Sequence, residues 1–119
     1  FSFHTVTVWK MRSTLQILQK EYPDLQIVLL SPLYCQFSGE DGQPGNLTDF
    51  GQGTLEAYVS LEQTIAKEFG VPFIDAYHNS GIGEENAKQY LADGLHLTDE
   101  GVLLYGEYVA EELEKILVK

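Results

Sequence analysis

Leu25-Gln26-Ile27-Val28-Leu29-Leu30 decides the fold class. It is a short, almost unbroken apolar run that stops at Ser31-Pro32. A run without polar alternation suits a strand covered on both faces, as in a parallel sheet. A second run, Val71-Pro72-Phe73-Ile74-Asp75-Ala76, reads the same way, with its proline at the start, where a missing N–H matters least. Between the two lies a helical pattern over residues 54–69. Leu55, Tyr58, Val59, Glu62, Ile65, Ala66 and Phe69 fall on one side of it, and Gly70 stands where a C-terminal cap belongs. Strand, helix, strand predicts a parallel pair joined by a crossover.

Outward from this unit, Val8, Met11, Leu15, Leu18 and Tyr22 recur at spacings of three and four, and predict a helix from about residue 5 to 22 that Pro23 stops. Residues 34–53 form one polar loop with Gly39, Gly42, Gly45, Gly51 and Gly53. Structureless loops of that length in compact domains usually carry function or disorder. Residues 77–92 read as irregular, with one short helix near 84–90. A last helix starts near Thr98, its capping residue, with Asp99 and Glu100 at its positive end. Leu103, Leu104, Tyr108, Val109, Leu113, Ile116 and Leu117 predict its buried stripe. No internal repeat or low-complexity tract interrupts the pattern. The order predicts a single α/β domain over residues 1–119, of the three-layer α/β/α kind with a doubly wound parallel sheet. Two strands are too few for such a sheet, because strands this apolar need neighbours at their edges. The chain therefore reads as the C-terminal half of that fold. A missing N-terminal half or a second copy, in a homo-oligomer, would complete the sheet.

Composition narrows the function. The 119 residues are 44% hydrophobic and 21% charged, ordinary values for a globular domain, and carry a net charge of −11. That field repels phosphate backbones and anionic lipid surfaces, so neither nucleic acid nor a membrane surface is an expected partner. No apolar run reaches the roughly 18 residues of a membrane span. Phe1-Ser2-Phe3-His4 lacks the basic start and apolar stretch of a signal peptide, and also lacks an initiator Met, so the chain reads as part of a longer one. Cys35 is the single cysteine, so nothing demands an oxidising compartment and a cytoplasmic location is favoured. No Cys/His cluster has zinc spacing, and neither a metal nor a cofactor is expected.

Chemistry points to Asp93-Gly94-Leu95-His96. An Asp three residues before a His lets the carboxylate reach one ring nitrogen. This fixes the tautomer and leaves the other nitrogen to take a proton from a nucleophile. These are two members of a catalytic triad. The serines, Ser2, Ser13, Ser31, Ser38, Ser60 and Ser80, have no nucleophile context, and no Gly-x-Ser-x-Gly elbow occurs. Asp75 at a strand end either faces the site or, as the simpler reading, satisfies nearby backbone N–H groups. His78 with Asp75 makes too few ligands for a metal. Tyr34, Phe37 and Phe50 flank the glycine-rich loop, where they either line a substrate pocket or anchor the loop to the body.

The pattern resembles the SGNH/GDSL hydrolases, the GDSL-like lipases and acylhydrolases. Residues 27–32 are similar to that family's fourth strand, residues 70–75 to its fifth, and Asp93-Gly94-Leu95-His96-Leu97-Thr98-Asp99-Glu100-Gly101 to its last conserved block. The resemblance implies that His96 is the general base and Asp93 its orienting carboxylate, in a serine esterase acting on a small-molecule ester. The family's Gly-Asp-Ser nucleophile block, oxyanion glycine and asparagine all precede the matched region, so this chain alone is expected to be inactive. Two alternatives stand beside this one: a non-catalytic fragment completed by self-association, and a small-molecule binding module at the same sheet edge.

Overall fold

The structure, a computed structural model, describes residues 3–36, 45–47, 49 and 53–117. Its elements run α1 (Phe3–Glu21), β1 (Leu29–Leu30), α2 (Leu55–Phe69), β2 (Phe73–Ile74), α3 (Ala76–Asn79), α4 (Ala87–Tyr90) and α5 (Asp99–Leu117). The helices form where capping and periodicity ask for them. Thr54 caps α2 by accepting the Ala57 N–H at 3.2 Å. Gly70 ends it in the left-handed region, at φ 66°, which an L side chain rarely adopts. All seven residues of the α2 stripe are buried or half-buried, with Ile65 and Val59 enclosed completely. Glu62 lies on the same side, and desolvation pushes its carboxyl up from the ordinary value.

β1 and β2 pair in parallel, Leu29 opposite Phe73 and Leu30 opposite Ile74. Bonds from Leu29 N to Pro72 O (2.9 Å) and Ser31 N to Ile74 O (3.0 Å) extend the ladder at both ends. The strands are much shorter than the apolar runs that contain them. Burial on both faces does not hold for the first run either, since Leu25 is 52% and Leu30 40% exposed. β1 has a partner on one edge only, and among the described residues no third strand covers the other. The architecture is thus a small parallel sheet with helices around it.

α1 lies along α2. Arg12 pairs with Glu68 at 2.8 Å and the Gln19 side chain donates to Phe69 O at 2.9 Å. Leu15 is buried, but Tyr22, counted in the apolar stripe, falls just past the helix end and is exposed. α3 was not expected. It exists because Asp75 caps it, accepting the His78 N–H at 3.0 Å. The short helix expected near residues 84–90 appears as α4. α5 begins as expected, with Thr98 Oγ1 accepting the Gly101 N–H at 3.0 Å. Its stripe is only partly covered. Leu104, Tyr108, Val109, Leu113 and Ile116 are half-buried, whereas Leu103 and Leu117 are exposed, because α3 and α4 cover one side of the helix and nothing described covers the next.

A buried apolar core joins α2 to the segments that follow β1 and β2. Tyr34, Val59, Tyr77, Ile82, Ala87 and Leu91 form it, with Leu55, Phe73, Tyr90, Leu97 and Leu104 packed around.

Candidate active site

The segment between α4 and α5 is a tight closed loop. Leu91 and Leu97 form an antiparallel bridge, Ala92 N donates to His96 O at 2.7 Å, and Thr98 N donates to Tyr90 O at 2.9 Å. Gly94 turns the tip at φ 85°, a position that favours glycine. Gly94 O in turn accepts the Gln36 N–H at 2.7 Å, which ties the tip to the chain leaving β1.

Within that loop one carboxylate organises everything. Asp93 Oδ1 accepts the backbone N–H groups of His96 (2.7 Å) and Leu95 (3.0 Å). Its Oδ2 lies 2.6 Å from His96 Nδ1. The His96 N–H, then the His96 ring, then the Leu95 N–H hold the Asp93 carboxyl well below the usual carboxylate range. An ionised carboxylate can only accept, so Nδ1 carries the hydrogen and Nε2 presents its lone pair in the neutral ring. Among the described residues nothing hydrogen-bonds Nε2, and the side chain is 75% exposed. The arrangement is an oriented imidazole whose open Nε2 can accept a proton.

A cavity of about 290 Å³ adjoins Asp93 and Gly94, lined also by Gln36, Ala87, Lys88, Leu91 and Ala92. Among the described residues no group of three His, Cys, Asp or Glu could hold a metal ion. No described helix is long and apolar enough to cross a membrane.

Tyr34 is in the core, with its ring 6.3 Å from that of Tyr77, and burial pushes its phenol up. Phe37 and Phe50 lie outside the described residues. Ser31 is buried, its Oγ accepting the Tyr77 N–H at 2.9 Å, so it holds α3 in place. Asp75 takes the structural role as the α3 cap. Sequence reading missed its second bond, Oδ2 to His78 Nδ1 at 2.8 Å, although the Asp-x-x-His spacing seen in Asp93 and His96 was there to be read.

No protein-family model matches the sequence, and no curated protein matches it. Solved structures do. The esterase domain of the ORF1 protein from the zebrafish ZfL2-1 retrotransposon aligns at TM-score 0.72 and 19% identity, over 97% of this chain and 61% of that one. A protein from Lactobacillus plantarum aligns at TM-score 0.70 and 20% identity, over 85% of this chain and 50% of that one. A variant of an acetyl-xylooligosaccharide esterase from Geobacillus aligns at TM-score 0.56 and 20% identity, over 88% and 46%. The chain spans about half the length of the solved structures it matches. At these identities the likeness is one of fold: the chain has the helix-and-parallel-strand arrangement found in esterases.

Proposed function

We propose that this chain is the C-terminal part of an SGNH-type serine esterase and supplies the His–Asp pair of its triad. The observation that carries the reading is Asp93–His96: a fixed imidazole, an ionised partner on Nδ1 and an open Nε2. The esterase fold of the structural neighbours supports it. In this reading an N-terminal half completes a three-layer sheet and brings a serine to Nε2. The serine hydroxyl attacks an acyl or acetyl ester carbonyl while His96 takes its proton. The tetrahedral intermediate collapses as His96 returns the proton to the leaving alcohol, and Asp93 stabilises the imidazolium in between. Water then repeats the sequence on the acyl-enzyme.

A fluorophosphonate probe followed by intact-mass measurement tests this. The longer protein should take one adduct, on a serine preceding Phe1, and the 119-residue chain none. A stoichiometric adduct inside residues 1–119 would sink the assignment. A second reading, self-association of copies, is favoured by the open edge of β1 and the apolar side chains beside it, Leu25 and Leu30.

A further inference from the structure

Asp-x-x-His occurs twice in the fold, and the two copies differ at one atom. At both, one carboxylate oxygen takes the backbone N–H three residues on and the other takes ring Nδ1. At His96 the second ring nitrogen is open. At His78 it lies 3.5 Å from Glu56 Oε1, in the first turn of α2. A neutral imidazole has one N–H and one lone pair, so between two carboxylates it must turn a lone pair on one of them. Only the imidazolium donates to both.

We infer that Glu56, Asp75 and His78 form a protonation-dependent latch that ties the start of α2 to α3. The second helix needs such a tie. Four residues are too few to be helical on their own, so α3 persists only by its cap and its docking. It carries Tyr77, which is buried in the core and whose Oη accepts from Asn46 Nδ2 at 3.2 Å. The groups facing His78 are acids and a ring: Asp75 beside it, Glu56 across from α2, and the Tyr77 ring edge-on at 4.7 Å. From α5, Tyr108 Oη donates to the Asp75 carbonyl at 3.2 Å, which steadies the cap without adding a cation. The Asp75 hydrogen bond, opposed by desolvation and reinforced by Glu56, raises the His78 pKa above its ordinary 6.5. A raised value fixes the sign. The latch is closed below the unfolded imidazole value and opens as pH climbs through the folded one. The ring is 44% exposed, so added salt must weaken it.

The test is an NMR titration of the intact chain, following His78 and His96 ring shifts with amide exchange over residues 76–79. His78 should titrate above 6.5, fall on Glu56→Gln and fall further on Asp75→Asn, which keeps an oxygen to cap α3. Exchange at 77–79, corrected for its intrinsic pH dependence, should quicken through the same midpoint. In His78→Gln that step should vanish. Glu56→Gln is an exposed, isosteric change, so it keeps the test open if Asp75→Asn fails to fold. A His78 midpoint indifferent to Glu56→Gln, or protection at 77–79 unchanged across the His78 titration, overturns the latch.

Discussion

Gly101→Ala should cost this chain about 2 kcal/mol, although alanine is the better helix former. Gly101 lies in the first turn of α5 and is buried. A Cβ built there would collide with the Tyr90 carbonyl oxygen and meet Leu97 Cδ2 at 3.0 Å. The leucine methyl can rotate away. The carbonyl cannot, because it is backbone and already accepts the Thr98 N–H at 2.9 Å. Relief therefore requires α5 to move off α4. Overpacking of this kind costs roughly 1–3 kcal/mol, and the upper end applies when only backbone can yield. Against this stands about 1 kcal/mol of helix propensity in alanine's favour. Gly106 is the internal control, being on the same helix, exposed, with nothing within 4 Å of its added Cβ. Gly106→Ala should stabilise by about 0.5–1 kcal/mol. Thermal unfolding followed by circular dichroism separates the two, with Tm about 10 °C lower for Gly101→Ala and a few degrees higher for Gly106→Ala. Equal melting temperatures would show that the close crossing of α5 over Tyr90 has room for a methyl group.

Other outcomes follow from single contacts. Thr98→Ala removes both the α5 cap and the bond from Thr98 Oγ1 to Gln89 O (2.8 Å), and should cost about 1–2 kcal/mol in denaturant unfolding. Ile65→Ala leaves a cavity at a fully buried site and should cost about 2–4 kcal/mol by the same measurement. Asp93→Asn keeps the shape of the loop but removes the charge that orients the ring. Under the proposed function, kcat of the longer protein should fall by orders of magnitude, up to about 10⁴-fold as for other triads, while substrate binding changes little. Because the Asp93 pKa is depressed, its contribution to stability is present above the ordinary carboxylate value and is lost as pH falls through the folded one. Acid unfolding of Asp93→Asn should accordingly show a shallower slope below pH 4 than the wild type.

The features that sequence reading captured are local ones. Gly70 and Thr98 cap helices through atoms three or four residues away, so type and spacing suffice. Asp93 and His96 are legible for the same reason, since all three of their bonds close inside one loop. What was misread depends on distant surfaces. The first apolar run promises a covered strand, but exposure of Leu25 and Leu30 is set by what lies beside β1. Leu103 and Leu117 fit the helical stripe of α5, yet a stripe is buried only where a partner meets it. The place of Tyr34 among Tyr77 and Val59 is likewise set by the fold, not by its neighbours in sequence. Glu56 is 22 positions from His78 in the sequence, so the latch is invisible without the fold that brings the start of α2 beside α3.

The uncovered surface has a size, and the size makes a prediction. A folded monomer of 13.4 kDa exposes about 6,500 Å² by the usual mass scaling. This chain exposes 7829 Å², an excess of roughly 1,300 Å². That excess is above the roughly 800 Å² that each partner contributes to a standard protein–protein interface. Its apolar part is concentrated on α1 (Trp9, Ile17), beside β1 (Leu25, Leu30) and on α5 (Val102, Leu103, Leu117). Where such side chains lie together they mark an interaction surface. Under the proposed function an N-terminal half covers them. Without it, copies of the chain should cover one another. Sedimentation equilibrium of the 119-residue chain should return a mass that rises with concentration above 13.4 kDa, and Leu30→Lys, which charges the open edge without touching the core, should lower it. A strict monomer at every concentration would mean that β1 tolerates its bare edge. The need for a completing half would then lose its physical basis, while the Asp93–His96 geometry would stand unaffected.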